Sequence, residues 1–334
     1  MLLISIRLGC LLATLVASLH VAAAPRFWTL TGVQFSDGTF ATGYFSYDDA
    51  LKTIANWNVR VTSSWFSFPA STYVPGNSMA SVVNPYDYDE PPNLAFVATM
   101  GVPGPYFGAR QLQIALIAAL DGSNATVLLD ILLSREDFPS LDPPRGRSIT
   151  RGSLTHTPVP PSIVIAQVDE FYDAGLRHYF ITADAAEKQD LDTGVHPGWV
   201  RTGESFKAYA TGSSAGGTIN PVCRYYSDPD QEFYGPGADS HFFSADAGEC
   251  LTVFRKYASG FWSLENDNAF QINLPDTATG TCPGGTIPVY RLWNQRADSN
   301  HRYTTRAAIK TQMLAAGYLA EGYGADGVVM CAVQ

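Results

Sequence analysis

Three copies of one short pattern fill the second half of this 334-residue chain. The first copy runs Val168-Asp-Glu-Phe-Tyr172, His178-Tyr179-Phe180-Ile181-Thr182 and Trp199-Val-Arg-Thr-Gly203. The second runs Val222-Cys-Arg-Tyr-Tyr226, His241-Phe242-Phe243-Ser244 and Trp262-Ser-Leu-Glu265. The third runs Val289-Tyr-Arg-Leu-Trp293, His301-Arg302-Tyr303-Thr304-Thr305 and Tyr318-Leu-Ala-Glu321-Gly322. Aligned on His178, His241 and His301, the copies lie 63 and 60 residues apart. A fixed period of this size marks supersecondary units that share one core. The expected module spans residues 164–334, with repeats at about 164–210, 220–275 and 286–334.

Each repeat is expected to run strand, loop, strand, short helix, strand. Asp184 is a plausible N-cap for a helix at Ala185–Leu191, since its side chain can accept a bond from an unpaired amide of the first turn. Asp246–Phe254 and Arg306–Ala316 match it, and Gly317 stops the third. Three such units would pack around a pseudo-threefold axis. A β-trefoil is one such arrangement, although a helix in every unit is not typical of it.

The residues before the repeats read as a separate domain at 24–141. Phe27–Phe35 and Phe40–Tyr47 are rich in strand formers and flank an Asp37-Gly38 turn. Trp57–Thr62 alternates, and later apolar segments flank the turn signal Asp121-Gly122. Short strands between turns favour an antiparallel β-sandwich or open barrel, although Gln111–Leu120 could equally be a helix. Pro143-Pro144 and Pro158-Val-Pro-Pro161 frame a polar stretch that reads as a linker over 142–163. The fold class is therefore mainly β with short helices: a β-sandwich or open barrel followed by a pseudo-threefold β-rich repeat domain.

Residues 1–23 read as a secretory signal peptide, with Arg7 before an apolar run and small residues leading to cleavage near Ala23. The destination would be secreted or periplasmic. Loss of Cys10 with that segment leaves Cys223, Cys250, Cys282 and Cys331, and an even count in an exported chain reads as disulfides. Three connectivities exist, and the favoured one is Cys223–Cys250 within the second repeat and Cys282–Cys331 around the third. A net charge of −10 without any basic run argues against nucleic acid and anionic membranes as partners. No later stretch is long and apolar enough to span a bilayer. Oligomeric state leaves no signature.

The repeat resembles an exported bacterial module of unknown function with a His-Tyr/Phe-Phe/Tyr-x-Thr core. Pro288-Val-Tyr-Arg-Leu-Trp-Asn294, Asn300-His-Arg-Tyr-Thr-Thr305 and Glu321-Gly322 carry the likeness, which covers about residues 165–334. The first copy departs from it at Asp169-Glu170, where the others have Arg224 and Arg291. The third has Tyr318 in place of Trp. The start of the first domain, with Trp28-Thr-Leu-Thr-Gly-Val-Gln-Phe-Ser-Asp-Gly38, is similar to an N-terminal β module of exported proteobacterial proteins. Such repeat modules end secreted or surface proteins, sometimes beside hydrolase domains, so the resemblance implies an accessory or binding role.

His178, His241 and His301 sit beside aromatics and could line ligand pockets, since imidazole and ring faces together suit sugars. The competing and favoured reading is that each His starts a strand and bonds a backbone carbonyl. Tyr172, Tyr179, Tyr226, Phe242, Trp293 and Tyr303 are either platforms or, as favoured for those alternating inward, core. Trp199 and Trp262 are the aromatics expected to be partly exposed. Arg224 and Arg291, with Glu265 and Glu321, are expected to form ion pairs across units. Asp228, Asp230, Glu232 and Asp239 form an acidic loop without EF-hand spacing, read as solvated. No metal, cofactor or catalytic residue is assigned, because no nucleophile elbow, phosphate loop or metal-ligand motif occurs. The expected function is non-catalytic binding of glycans or cell-envelope components. The alternatives are a hydrolase with its site in the first domain or between domains, and a structural module that docks proteins.

Overall fold

The computed structural model describes residues 25–62, 70–83, 93–98, 110–138, 145–157, 162–211, 213, 219–230, 238–256 and 262–334. The segment read as a signal peptide, with Cys10, the two proline pairs and Glu232 lie outside the described residues. The protein is mainly β, with antiparallel sheets and, among the described residues, three helices.

The first sheet contains β1 (Arg26–Phe35), β2 (Phe40–Asp48), β3 (Thr53–Val61), β4 (Ser71–Tyr73), β5 (Ser78–Val83), β6 (Asn93–Ala98), β7 (Arg110–Ile114), β8 (Thr126–Leu128), β9 (Arg135–Phe138) and β10 (Arg145–Thr157). Its order is β4-β3-β2-β1-β10-β9-β7-β6-β5, with β8 beside β10. The Asp37-Gly38 turn closes the β1–β2 hairpin, with Gly38 at φ +85°. In β1 the buried residues are Trp28, Leu30, Val33 and Phe35. Alternation slips by one residue after Leu30, where the register shifts and Gly32 takes φ +60°. This is a bulge: an extra residue bends the strand and returns its apolar side chains to the same face. The sheet curls into an open barrel, so that Trp57 Nε1 on β3 donates to Ser78 Oγ on β5 at 2.9 Å. Inside it, Glu136 lies within 2.7 Å of both Arg110 and Arg147 and accepts from the Tyr73 hydroxyl at 2.8 Å.

The linker expected at 142–163 is corrected. Residues 145–157 form β10, a central strand paired with β1, β8 and β9. Its composition is polar because only Arg147, Ile149 and Leu154 are buried. The ladder and cross-strand threonine pairs hold it, Thr29–Thr157 at 2.7 Å and Thr31–Thr155 at 3.0 Å. The ambiguous 111–120 segment starts as strand β7 and contains no helix.

The second half contains three pieces of one element order. Unit 1 is β11 (Ile165–Asp173), β12 (His178–Thr182), α1 (Ala185–Asp192) and β13 (Trp199–Tyr209). After the short β14 (Ile219–Pro221), unit 2 is β15 (Cys223–Ser227), β16 (Ser240–Ser244), α2 (Ala247–Lys256) and β17 (Ser263–Asn266). After β18 (Gln271–Asn273), unit 3 is β19 (Thr286–Trp293), β20 (His301–Thr304), α3 (Ala307–Ala315) and β21 (Leu319–Glu321), and β22 (Val328–Val333) closes the chain. Asp184 caps α1 by accepting from Glu187 N at 2.9 Å, and Asp246 accepts from Glu249 N at 2.7 Å in the same way. Gly317, at φ +90°, ends the third helix segment. Cys223 is bonded to Cys250 and Cys282 to Cys331, tying β15 to α2 and the approach to β19 to β22.

The hairpin registers correct the alignment of the units. Glu170 faces Ile181, Arg224 faces Phe243, and Arg291 faces Tyr303. Counting from these pairs, Tyr179 corresponds to His241 and His301, while His178 corresponds to Ser240 and Asn300. The three helices agree, since Asp184, Asp246 and Arg306 then fall at one position. Aligning on the histidines therefore places unit 1 one residue out of step, which on a strand puts a side chain on the opposite face.

The barrel and the units are joined by polar contacts. Asp267, buried after β17, accepts from Arg60 at 2.7 Å and from Thr72 at 3.3 Å. The Tyr44 hydroxyl donates to the Ser213 carbonyl at 3.1 Å. Among the described residues no helix is long and apolar enough to cross a membrane.

Candidate functional site

The three units contact one another head to tail and close a ring. At the junction of units 2 and 3, Arg291 donates to both oxygens of Glu249, at 2.9 and 2.7 Å. Its Nε lies 3.0 Å from Glu321 Oε2, which also faces His301 Nε2 at 3.2 Å. The Arg291 guanidinium covers the Phe242 ring, and Phe242 meets His301 and Trp262 edge to face. The junction of units 1 and 2 uses the same positions. Arg224 Nη1 donates to Glu187 at 2.9 and 3.0 Å, and its Nε lies 2.7 Å from Glu265. Glu265 faces His241 Nε2 at 3.3 Å, and Phe180 packs on His241 and Trp199.

The junction of units 3 and 1 inverts the charges. Glu170 stands where the other strands carry Arg, and Arg302 grips both its oxygens at 2.9 and 2.8 Å. Thr202 replaces the carboxylate of Glu265 and Glu321 and donates to Glu170 at 2.8 Å. Arg302 also covers the Tyr179 ring at 4.2 Å, occupying the place of Phe180 and Phe242. The ion pairs expected across units are corrected here. Arg224–Glu265 and Arg291–Glu321 lie within a unit, and Glu187 and Glu249 are the partners that cross the junctions.

The charged groups respond to this packing. Burial is the largest influence and would weaken the Arg291 cation, but the hydrogen bonds of Glu249 together with the nearby charges of Glu249 and Glu321 and the Tyr303 hydroxyl outweigh it and raise the guanidinium above its ordinary value. Burial depresses the His301 pKa, more than Glu321 restores it, so the ring is neutral at pH 7. Burial pushes Glu321 and Glu265 up, yet their His and Arg partners hold both carboxyls below the ordinary value.

Between units 2 and 3 the surface opens into a cavity of about 390 Å³. Phe242, Trp262 and Trp293 form aromatic walls, and Glu249, Arg291, His301 and Glu321 supply the polar groups. Lys256 stands at the helix side.

The expected site residues divide into separate places. Phe242, Trp262 and His301 meet in this cavity. Trp199 and His241 belong to the junction of units 1 and 2, and Tyr179 to the junction of units 3 and 1. His178 is interior, 1% exposed, with Nδ1 at 2.8 Å from the Asp239 carbonyl and Nε2 at 3.3 Å from Asp298. Its counterpart Asn300 bonds Ser240 Oγ and the Tyr179 backbone at the centre of the ring. Tyr303 is also interior, where its hydroxyl accepts from Phe243 N and donates to Phe243 O, both at 2.9 Å. Trp293, one of the repeated aromatic positions, also lines the cavity, whereas Glu249 and Lys256 were not singled out from the sequence. The Asp-x-x-Glu spacing at 184–187 and 246–249 was the available signal, because a glutamate three residues past a cap projects from the first helical turn. In the acidic loop, Asp228 accepts from Asp230 N in a local turn, and Asp239 accepts from the Tyr226 hydroxyl across the β15–β16 hairpin.

Residues 167–328, which contain all of β12 to β21, match the model of a family described as a domain of unknown function (DUF5648). No curated protein and no solved structure matches the chain.

Proposed function

We propose that the three units are copies of one ancestral unit and that the protein is an exported, non-catalytic binder of neutral glycans, including those of a cell envelope. The cavity between units 2 and 3 carries this reading. Its 390 Å³ falls within the size range of small-molecule sites, and it combines apolar walls with a few fixed polar groups. Trp262, Trp293 and Phe242 offer ring faces and edges for the apolar face of a pyranose. Glu321 Oε1 and the second lone pairs of the Glu249 oxygens offer acceptors for its hydroxyls.

Charge supports a neutral ligand. Arg291 is engaged on Nη1, Nη2 and Nε by two carboxylates, so its guanidinium is not presented to an incoming anion. Glu249 and Glu321 offset Arg291 and Lys256, and His301 is neutral, leaving no net charge to attract an acidic polysaccharide. The two disulfides fit an oxidising, extracellular compartment.

The test is a glycan array with the full folded chain, holding neutral and acidic polysaccharides side by side. The expected outcome is binding to neutral members, weakened by about 10–30-fold in Trp293→Ala, the loss typical of a buried aromatic anchor. Failure of the folded chain to bind any neutral glycan, or preference for uronic-acid polymers, refutes the proposal.

A further inference from the structure

The side-chain arrangement around the cavity between units 2 and 3 recurs at the junction of units 1 and 2, and we infer that this second junction is a glycan site of the same chemistry, so that the protein is bivalent. This inference rests on the glycan reading of the first cavity and extends it.

The twin is built from matching positions. Trp199 meets Phe180 edge to face with ring centres 5.9 Å apart, as Trp262 meets Phe242 at 6.3 Å. Arg224 is held by Glu187 and Glu265 as Arg291 is held by Glu249 and Glu321. His241 faces Glu265 as His301 faces Glu321. Tyr226, stacked on His241 at 4.7 Å, takes the position of Trp293. The Arg, His and strand Glu of the twin are more open to solvent, although its helix glutamate Glu187 is less so than Glu249. Side-chain exposure is 12% for Arg224 against 6% for Arg291, and 17% for His241 against 8% for His301. A shallower site holds its ligand less completely, so the twin is the weaker of the two.

The third junction does not qualify. Arg302 occupies the aromatic position, Ile309 stands where the others have the helix glutamate, Thr202 replaces the strand glutamate, and Tyr318 replaces the Trp. The valence is therefore two rather than three or one.

Isothermal titration of the full chain with cellotetraose, mannotetraose and chitotetraose tests the count. The expected result is two sites per chain for the tetraose that binds. Trp199→Phe and Tyr226→Ala should each remove the weaker site and leave the tighter one, while Trp293→Ala removes the tighter one and leaves the weaker. Circular dichroism and an unchanged melting profile exclude unfolding, and the pair of variants at the twin guards against one of them failing to fold. A single site in the wild type, with Trp199→Phe and Tyr226→Ala both folded and silent, overturns the second site but leaves the glycan reading standing. No binding by any tetraose overturns both.

Discussion

Tyr303→Phe removes one oxygen from the interior of the ring and leaves the ring shape intact. In the wild type that hydroxyl bridges units 2 and 3, accepting from Phe243 N and donating to Phe243 O at 2.9 Å. Phe243 is 1% exposed and lies in β16, whose ladder to β15 is on the other side of the strand. Phenylalanine therefore orphans a buried N–H and a buried C=O together. An unsatisfied buried group costs about 1–3 kcal/mol, and losses are not additive when one oxygen serves both, so the expected destabilisation is about 2–4 kcal/mol. For a domain of 150–250 residues each kcal/mol shifts Tm by about 2–4 °C, giving a fall of about 5–15 °C. Differential scanning calorimetry of both proteins measures it, with denaturant midpoints as an independent check. Glycan binding below the new Tm should be unchanged, because Tyr303 lines no part of the cavity. A folded Tyr303→Phe protein that melts within about 2 °C of the wild type would refute the bridging role.

Acidification should lower Tm in two stages. His301 has a folded pKa depressed below the ordinary value near 6.5, chiefly by burial, so unfolding takes up a proton and its stabilisation is complete above about 6.5 and lost as pH falls. Glu321 and Glu265 are also depressed, so their contribution is present above about 4.3 and lost below it. A His301→Gln protein should keep only the lower stage, and a wild-type Tm that is flat between pH 7 and 5.5 would count against a buried neutral His301. Reduction, or Cys282→Ser with Cys331→Ser, opens a loop spanning 49 residues and should cost about 4 kcal/mol, measured by denaturant unfolding. Asp267→Ala removes the acceptor of Arg60 and Thr72 and should loosen the barrel from the units by about 1–3 kcal/mol; a single unshifted calorimetric transition would show that this contact does not couple them.

The sequence made some of this legible because the signal was local. The Asp37-Gly38 hairpin, the caps at Asp184 and Asp246 and the order strand, strand, helix, strand can be read over a few residues each. The disulfide partners were legible because only four cysteines follow the expected leader. The barrel strand β10 was not, since a strand whose exposed face is threonine, serine and arginine looks like a linker unless its partner β1 is known. The alignment of the units failed at His178 because identity of residue type was followed. Hairpin register, which decides the face, requires the pairing of Glu170 with Ile181. The candidate cavity was half visible. Phe242, Trp262, Trp293 and His301 stood out by type, but Glu249 did not, and only the closing of the ring brings groups of two different units to one place.

The inverted junction also bears on assembly. Head-to-tail contacts among identical pieces can continue from one molecule to the next, and open chains of such contacts grow into filaments. Here the two ends do not match the internal joints. Glu170 of unit 1 seeks a cation, which Arg302 of unit 3 supplies, whereas Arg224 and Arg291 require the acids Glu187 and Glu249. A unit 3 from another molecule brought against Arg224 would set Arg302 against a like charge. The terminal pieces thus recognise each other and no internal joint, and this mismatch fixes the order of the three units around the ring.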